Sequence, residues 1–413
     1  MDKPEYDIAI IGGGLAGASL VAALQGQGLR IAVIEAAAFD AQHQPSFDAR
    51  SVALSYGSKV IFSALGVWQA ISQLGATPIE RIHISNRRHI GIAHLDCHEQ
   101  GVDALGYVVE TRVLGQVLGQ NMLQCESVDY LCPASLQSIE FKSDLAEVYF
   151  QQDGMPKALT AKLVVAADGG QSIVRRQSGI RTWQSQYGQT AIIANVVMDR
   201  PHEYLAYERF TDTGPMALLP TTHADHPACV YALVWTVADD QSDAIQSLSD
   251  AAFLTRLQDR FGLRAGHFIK TGPRHAYPLG VMLAREHVRP RLAIIGNAAH
   301  TMHPVAGQGF NLGLRDVASL AQVIVAAGND QQDIGAIDVL QHYAKWRRKD
   351  HLQTMGFTDG LVRVFSSRFP PLVLARNLGL LAMDIMPPVK RSIARHAMGY
   401  VGKLSRLARG IPL

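Results

Sequence analysis

The stretch that decides the fold is YDIAIIGGGLAGASLVAALQGQGLRIAVIE, residues 6–35. Its first six residues form an apolar run bounded by glycine, which is typical of a strand buried on both faces. Residues 18–25 carry helix-forming side chains with apolar spacing, and Gly28 ends that helix. Residues 29–35 then form a second apolar run. The stretch therefore predicts a strand–helix–strand unit.

The turn inside this unit reads GGGLAG and has three glycines with separate tasks. Gly12 permits the tight turn, Gly14 lets the backbone approach a pyrophosphate, and Gly17 lets the helix pack closely on the strand. Leu15 and Ala16 stand between the last two of these glycines, and the free N–H groups at the N-terminus of the following helix attract phosphate. The turn predicts a dinucleotide site, although a purely structural unit of this kind is the alternative.

Glu35 ends the second strand, 18 residues after Gly17. A carboxylate at this place can accept hydrogen bonds from ribose hydroxyls. It favours a ribose with a free 2′-hydroxyl, so FAD or NAD fits better than NADP.

Two further apolar strands end in polar residues. Residues 162–167 precede Asp168, and residues 292–295 precede Gly296 and Asn297. Ligands of open α/β sheets bind at the carboxyl ends of the strands, so we expect these residues to lie near the first turn.

A second glycine-rich loop follows the third strand. It contains Gly307, Gly309, Asn311 and Leu312 and leads into a helix predicted at residues 314–327. A loop that leads into a helix N-terminus is a second place where negative charge is stabilised.

Between these segments the pattern changes to β-rich runs without intervening helices. The runs lie at residues 190–197, 206–210, 217–219 and 229–237. Such spacing predicts an antiparallel sheet, inserted into the first domain. The remaining segment, from about residue 340, alternates helical patterns with Pro-Pro breaks at 370–371 and 387–388.

Composition excludes several other classes of protein. The chain has 413 residues, of which 48% are hydrophobic and 18% charged, so it is neither a disordered chain nor a nucleic-acid tail. Its four cysteines form no CxxC pair and no metal-ligand set, which predicts free thiols in a reducing compartment and no metal site.

The net charge of +2 conceals an uneven distribution. Residues 340–413 contain 13 Lys and Arg against 3 Asp and Glu. A basic region of this kind can face anionic lipid or an acidic partner, or it can simply be a solvated helical surface. The apolar stretch 369–386 contains Arg376, Asn377 and Asp384, so we do not predict a membrane span.

Together the three motifs resemble a known family. In order and spacing, residues 12–35, the Asp168-Gly169 turn and residues 296–313 are similar to the single-component flavin-dependent aromatic hydroxylases with the para-hydroxybenzoate hydroxylase fold. Within that family, the ubiquinone-biosynthesis group is the most similar. The segments that carry this likeness to 2-octaprenyl-6-methoxyphenol hydroxylases are residues 46–50, 104–110, 208–210, 214–215 and 296–316.

The resemblance implies an α/β fold: a Rossmann-like FAD-binding domain with an inserted antiparallel β-sheet substrate domain and C-terminal helices. The expected FAD-binding domain is discontinuous and comprises residues 1–80, 98–180 and 275–340. The expected substrate domain comprises residues 81–97 and 181–274, and the C-terminal helical region comprises residues 341–413.

The resemblance also implies FAD and the residues that hold it. Glu35 would bind the adenosine ribose, and Arg50 and Arg112 would contact the pyrophosphate or the ring region. Asn297 stands where the family usually has aspartate, and its amide can still bond a ribityl hydroxyl. The complete predicted FAD-binding set is Gly12, Gly14, Leu15, Ala16, Gly17, Glu35, Arg50, Arg112, Asp168, Asn297, Gly307, Gly309, Asn311 and Leu312.

The implied activity is FAD-dependent monooxygenation, which hydroxylates the aromatic ring of a polyprenyl phenol in ubiquinone biosynthesis through a flavin hydroperoxide. Dioxygen is the oxidant, and NAD(P)H or a separate reductase is the electron donor, because the chain has one GxGxxG turn. The alternatives are a flavin oxidase or dehydrogenase, and a non-catalytic flavin-binding subunit of a membrane-associated assembly.

The catalytic group is harder to choose. His303 lies by motif near the flavin and could help a phenol to lose its proton, but it could equally cap or pack its loop. His300 is no better placed. We expect five side chains to lie either on the substrate side or in the sheet core: Tyr207, Phe210, Met216, Leu218 and Trp235.

The expected partners are a lipophilic prenylated phenol and other ubiquinone-biosynthesis proteins, without nucleic acid. The expected location is the cytoplasm, with peripheral contact at the inner membrane.

Overall fold

The computed structural model describes residues 4–37, 50–222, 228–302, 307–366, 369–400 and 402–413. The strands are β1 (Tyr6–Ile11), β2 (Ile31–Ile34), β3 (Ser51–Ser55), β4 (Thr77–Ile79), β5 (Arg81–Asn86), β6 (Ile92–Asp96), β7 (Gly106–Glu110), β8 (Val128–Leu131), β9 (Ala134–Phe141), β10 (Ala146–Gln152), β11 (Met155–Ala166), β12 (Thr182–Met198), β13 (Leu205–Thr211), β14 (Gly214–Thr221), β15 (Val230–Ala238), β16 (Phe268–Thr271), β17 (His275–Ala284), β18 (Val288–Arg289), β19 (Leu292–Ile294) and β20 (His300–Thr301). The helices are α1 (Leu15–Leu24), α2 (Tyr56–Ala64), α3 (Trp68–Gly75), α4 (Thr111–Leu123), α5 (Ile173–Gln177), α6 (Asp239–Gln246), α7 (Asp250–Phe261), α8 (Gln308–Asn329), α9 (Ile337–Ser366), α10 (Pro370–Ile385) and α11 (Pro387–Ala397).

The first sheet is built on the opening βαβ unit. Its strand order is β18-β19-β11-β1-β2-β8, and β1 pairs in parallel with both β2 and β11. The continuous apolar sequence of β1 suits this central place, because layers cover both faces of a parallel sheet. Strands β9 and β10 extend the sheet as an antiparallel arm on β11.

The largest core lies between this sheet and the helices on one of its faces. Side chains of α1, α4 and α8 meet there, and Leu407 and Ala408 from the end of the described chain belong to the same cluster. Helix α8 is long and apolar enough to cross a membrane, but 72% of its apolar window is buried inside the protein, as in the core helix of a folded domain.

The second sheet has nine strands, in the order β20-β17-β12-β15-β14-β13-β5-β6, with β16 paired to β12. Its pairs are antiparallel except for β13 with β5. The predicted antiparallel sheet is confirmed. Strand β17 belongs to this sheet, so the predicted domain boundary at residue 275 falls where a strand of the second sheet begins. The division into domains itself stays a prediction.

The two faces of the second sheet have different neighbours. One face, here called the helix face, packs against α6 and α7 through a large apolar cluster. The opposite face, here called the cavity face, lies towards α9 and towards the small third sheet, whose strand order is β3-β7-β4.

Helix α8 begins earlier than the sequence predicted. It starts at Gln308 instead of residue 314, because Gly307 adopts a left-handed conformation (φ 62°) that caps the helix directly after the glycine-rich loop. The helix N-terminus therefore lies beside Gly309, within the loop that was predicted to bind the cofactor.

Candidate functional site

A cavity of about 770 Å³ opens at the carboxyl ends of β1, β11 and β19. We call it the main cavity, and its volume lies within the range of roughly 300–1,000 Å³ found for ligand and cofactor pockets. The predicted residues that line it are Gly12, Gly14, Leu15, Ala16, Glu35, Arg50, Asp168, Asn297 and Gly309. Segments up to 297 residues apart in sequence thus meet at one sheet edge, as expected from the parallel topology.

The first turn has no room for side chains at two of its glycines. Gly12 has a φ of 104°, and a Cβ there would lie 2.6 Å from the carbonyl oxygen of Ala167. A Cβ on Gly17 would lie 2.0 Å from the carbonyl oxygen of Gly12. Gly17 does not line the main cavity, so it supports the turn by letting α1 approach β1, as its predicted packing role requires.

Glu35 reaches back to the turn. Its Oε2 accepts a hydrogen bond of 2.6 Å from the backbone N–H of Gly13, and its Oε1 accepts one of 2.9 Å from the N–H of Ala37. These bonds fix the carboxylate at the wall of the main cavity. Each oxygen keeps a lone pair for a ribose hydroxyl.

Asp168 leaves one oxygen unsatisfied. Its Oδ2 accepts hydrogen bonds from the N–H groups of Ile173 (2.7 Å) and Val174 (3.1 Å), which anchors the start of α5. Its Oδ1 is buried, and no described residue donates a hydrogen bond to it. Because buried carboxylate oxygens in proteins are normally hydrogen-bonded, this atom indicates a polar ligand in the main cavity.

The two predicted arginines differ in position. Arg50 lines the main cavity, and its guanidinium lies 4.8 Å from the ring centroid of Tyr277 in β17. Arg112 is exposed and forms an ion pair with Glu110 outside the main cavity. The predicted contact of Arg112 with the cofactor stays a prediction.

Asn311 holds the glycine-rich loop from inside the protein. Its Oδ1 accepts hydrogen bonds from the N–H of Ser55 (2.8 Å) and the hydroxyl of Ser58 (2.7 Å). Its Nδ2 donates to the carbonyl oxygens of Ala53 (2.8 Å) and Gly307 (2.6 Å). The side-chain amide is thus engaged within the fold, so any contact with a cofactor would come from the backbone.

Of the remaining loop residues, Gly309 lines the main cavity, whereas Leu312 is fully buried in α8. Gly307 is tightly enclosed, because a Cβ there would lie 2.9 Å from the Cβ of Ala53. The cofactor contacts predicted for Gly307, Asn311 and Leu312 stay predictions.

Other residues of the main cavity carry no motif that sequence reasoning could have used. They come from a strand and from helix termini that only the tertiary fold brings together. The clearest are Ser51, Val52, Thr111, Ile173 and Arg176.

His303 lies outside the described residues. His300 is fully buried, and its Nε2 lies 2.7 Å from Oδ2 of Asp316. The Asp316 carboxylate also meets His351 Nε2 at 2.6 Å and Arg347 Nε at 2.7 Å. Burial alone would raise the pKa of Asp316, but His351, Arg347 and His300 outweigh it and hold the pKa well below its usual range. His300 therefore belongs to a buried ionic cluster of α8 and α9.

Most of the five side chains that the sequence placed on the substrate side or in the sheet core belong to the sheet core. Tyr207, Met216, Leu218 and Trp235 lie in the apolar cluster of the helix face of the second sheet. Phe210 is on the other face and stacks on Phe365 of α9 at 3.7 Å. Of the two alternatives from the sequence, the structure therefore supports core packing for Tyr207, Met216, Leu218 and Trp235.

The family model described as FAD binding domain matches residues 5–355. The chain belongs to this FAD-binding family. The orphaned Oδ1 of Asp168, the two enclosed glycines of the first turn and the position of the Glu35 carboxylate at the wall all fit FAD in the main cavity.

Curated relatives match along nearly the whole chain. Ubiquinone hydroxylase UbiL of Rhodospirillum rubrum is 36% identical over 411 residues, which cover 98% of this chain and 93% of that protein. The 3-demethoxyubiquinol 3-hydroxylase of Escherichia coli is 33% identical over 402 residues, covering 97% of this chain and 100% of that protein. The predicted resemblance to ubiquinone-biosynthesis FAD hydroxylases, and with it the FAD-dependent monooxygenase class, is confirmed.

A solved structure shows the same fold. The p-nitrophenol 4-monooxygenase PnpA of Pseudomonas putida superposes with a TM-score of 0.76 at 19% identity, covering 96% of this chain and 99% of that one. The predicted fold class is therefore confirmed, and the match to the FAD-binding family confirms the predicted FAD cofactor.

Proposed function

We propose that this protein hydroxylates the aromatic ring of a polyprenyl phenol or quinol in ubiquinone biosynthesis, with FAD, dioxygen and an external electron donor. The observation that carries the proposal is the similarity to two hydroxylases named for ubiquinone or its precursor, at 36% and 33% identity across at least 97% of this chain. A 2-prenyl-6-methoxyphenol is the substrate type that the sequence segments favour.

When bound, reduced FAD supplies the activation of dioxygen and the electrons for the hydroxylation. The protein supplies binding, orientation and a dry site. Gly12 and Gly14 and the N-terminus of α1 would receive the pyrophosphate. Glu35 would hold the adenosine ribose, and Asp168 would accept a hydrogen bond from a cofactor hydroxyl at its free oxygen.

The N-terminus of α8 gives the second contribution. Helix α8 begins at Gln308, next to Gly309 in the wall of the main cavity. At this place the positive end of the helix dipole and the N–H groups of the first helical turn would stabilise negative charge on a reduced flavin ring. Nearby, the cavity face of the second sheet would cover the ring and exclude water, which hydroxylation requires.

The electron donor is external to this site. The described chain has one dinucleotide turn of the GxGxxG type, on β1 and α1, and FAD occupies it in this proposal. NAD(P)H would therefore bind transiently, or a separate reductase would deliver the electrons.

A surface on α10 and α11 would meet the lipid in which such a substrate resides. Leu374, Leu378 and Ile385 are exposed to 62%, 57% and 76%. Arg391 and Arg395 lie exposed on the following helix, which is bent from α10 by 98°. Exposed apolar side chains beside basic ones are typical of peripheral binding to anionic membranes, so we propose peripheral contact with the inner membrane from the cytoplasm.

The test of the reaction is a single turnover. The FAD-loaded protein is reduced chemically without oxygen, mixed with a short-tailed 2-prenyl-6-methoxyphenol, and exposed to ¹⁸O-labelled dioxygen. We expect product with one labelled oxygen atom, detected by mass spectrometry. Hydrogen peroxide with unchanged phenol would instead favour the flavin oxidase, and unreacted reduced FAD would favour the non-catalytic subunit.

The test of the lipid contact is flotation with vesicles that contain anionic lipid. We expect the double substitution Leu374→Ser, Leu378→Ser to weaken flotation while FAD binding is unchanged. Point substitutions are preferable to removal of the C-terminal segment, because Leu407 and Ala408 are buried in the main core. Equal flotation of both proteins would contradict the membrane contact.

A further inference from the structure

One carboxyl group on the second sheet has no role in the site described so far. Strand β13 alternates, so that Tyr207 points into the cluster of the helix face and Glu208 points to the cavity face. Glu208 lies directly opposite Ala217 of β14 and Ile84 of β5. Opposite residues of paired strands share a face, so these side chains surround the carboxyl group.

One packing contact joins the cavity face to the wall of the main cavity. Tyr277 lies opposite Ala191, and Ala191 lies opposite Thr236, on the same face as Glu208. The guanidinium of Arg50, which lines the main cavity, packs on the ring of Tyr277 at 4.8 Å. This contact connects the face that carries Glu208 to the cofactor site.

A second connection reaches the glycine-rich loop. Ala206, two residues before Glu208, packs with Val108 of β7. Val108 pairs with Ala53, and Ala53 meets Gly307 so closely that a Cβ on that glycine would lie 2.9 Å away. Packing contacts therefore connect the strand that carries Glu208 to Gly307, which precedes α8.

The surroundings of Glu208 are apolar and incompletely covered. Ile84, Ala217, Val234 and Ile193 form a row across four further strands, and all of them are only partly buried, like Glu208 itself. A partly open apolar row with one carboxyl group is what the aromatic ring of a phenol with a prenyl tail requires: apolar walls and one polar group that fixes orientation.

Among the described residues, no partner satisfies the carboxyl group of Glu208, because neither a hydrogen bond nor an ion pair reaches its side chain. Burial raises the pKa of Glu208 to about 8. In other sites, side-chain carboxyl groups without partners and with raised pKa values act in proton transfer.

The charged and titratable groups around this face are engaged elsewhere. On α9, Arg363 donates to Asp359, and on α10, Arg376 donates to the carbonyl oxygen of Phe365 at 2.7 Å. On β17, His275 and Tyr277 lie four strands away from Glu208. Glu208 is therefore the carboxyl group on this face that a substrate can reach without breaking an ion pair.

We propose that Glu208 accepts the proton of the ring hydroxyl of the bound phenol. The O–H bond of the phenol breaks and an O–H bond forms on the Glu208 carboxylate, which leaves an electron-rich phenolate for the oxygen-transfer step. The proton returns to solvent when the product leaves and the carboxyl ionises again. This inference rests on the proposed function, because it takes a phenol as the substrate.

The acidity of the two groups suits this transfer. A free phenol of the tyrosine type has a pKa of about 10, and an ordinary glutamate has one of about 4.3. A glutamate with a pKa near 8 is a much better match for a phenol, and proton transfer is most efficient between groups of similar pKa near the working pH.

The experiment compares the wild-type holoenzyme with Glu208→Gln and Glu208→Asp. The matched control is Glu203→Gln, because Glu203 precedes the same strand and its side chain is 77% exposed. The first readout is the hydroxylation rate of the short-tailed 2-prenyl-6-methoxyphenol from pH 6 to 10. The second readout needs no turnover: the ultraviolet difference spectrum of the phenolate, recorded without oxygen in the presence of oxidised FAD.

We expect the wild-type rate to rise with pH to a plateau above about 8, and the bound phenol to ionise in the same range. Glu208→Gln should lose about 100-fold in rate at pH 8.5 and show no phenolate below pH 10, with unchanged FAD binding. Glu208→Asp should recover part of the rate, and Glu203→Gln should match the wild type.

Two results would overturn the proposal: wild-type pH profiles for both readouts in Glu208→Gln, or loss of FAD binding in that variant, which would show a structural role. The two readouts distinguish failure of the Glu208 proposal from failure of the proposed function. Hydroxylation by the wild type with no effect of Glu208 would remove this inference alone. Phenolate formation that depends on Glu208 without hydroxylation would remove the proposed function alone.

Discussion

Asp316 and Glu208 are both enclosed carboxyl groups, but the protein treats them in opposite ways. Asp316 lies in α8 and contacts His300, His351 and Arg347 at 2.6–2.7 Å, and these neighbours hold its pKa well below the usual range. Glu208 lies on the cavity face of the second sheet, and burial raises its pKa to about 8.

This difference distinguishes a carboxylate that supports the fold from a carboxyl group that is available to a ligand. A carboxylate whose bonds are completed inside the protein fixes two helices to each other, and it offers nothing to a ligand. A carboxyl group whose bonds are incomplete costs stability, and such a cost is typical of positions where a ligand completes the bonding. Asp168 is intermediate, because one of its oxygens is bonded and the other is not.

The largest effect on stability should come from substitution of Asp316 in the buried ionic cluster of α8 and α9. We expect Asp316→Asn to lower the free energy of unfolding by about 3–5 kcal/mol, because it removes one of the two carboxylates paired with the buried Arg347 and also the partner of His300 and His351. Urea unfolding followed by circular dichroism measures this. The control is Glu286→Gln in an exposed pair with Arg289, which should cost less than about 1 kcal/mol. Similar costs for both variants would mean that the cluster is not a scaffold.

Substitution of Asp168, the intermediate case, should weaken FAD binding more than it destabilises the fold. We expect Asp168→Asn to weaken FAD binding by about 10- to 100-fold, because a charged acceptor at the free oxygen is replaced by a neutral amide. Quenching of flavin fluorescence measures the affinity. The thermal unfolding of the FAD-free protein should change little, since the amide oxygen can still accept from the N–H groups of α5. Unchanged FAD affinity would show that the orphaned oxygen does not face the cofactor.

The carboxyl group of Glu208 should destabilise the folded protein. The pKa of Glu208 is higher in the folded protein, at about 8, than the ordinary value near 4.3, so the wild type loses stability as pH rises between these values. Glu208→Met should therefore raise the free energy of unfolding by about 2 kcal/mol at pH 9, and the gain should disappear near pH 4. Urea unfolding at both pH values tests it, and a gain that does not depend on pH would contradict the assignment.

The smallest effect is a pH dependence beside the completed cluster. Burial lowers the pKa of His287 to about 3, next to His351. A histidine kept neutral in the folded state contributes stability above pH 6.5, and this is lost as pH falls towards 3. We expect the wild type to lose about 1 kcal/mol more than His287→Phe between pH 7.5 and 5.5. Parallel curves for the two proteins would show that His287 does not titrate in this way.

The sequence predicted the parts of the fold that depend on local pattern. Alternation, glycine spacing and apolar runs indicate the βαβ unit, the antiparallel sheet and the edge where Glu35, Asp168 and Asn297 meet. Relatives confirm the family and the cofactor. The roles of the individual cofactor-binding residues stay predictions.

What the sequence could not predict depends on long-range packing. A strand presents alternate residues to opposite faces, and composition does not say which face meets the cofactor. Tyr207 was considered for the substrate side, yet it packs in the core of the helix face, and its neighbour Glu208 is on the cavity face. The sequence also could not predict the hydrogen bonds of the Asn311 side chain within the fold, because Ser55 and Ser58 lie more than 250 residues away in sequence.

The core around β1 has a consequence for the synthesis of the protein. Leu407 and Ala408 complete the same apolar cluster as Ile8 and Ile10, about 400 positions earlier in the chain. A ribosome must therefore release about 400 residues after the first strand before this core can close. The first turn emerges early but lacks this part of its packed support until those residues follow, so FAD should be loaded after they have been synthesised.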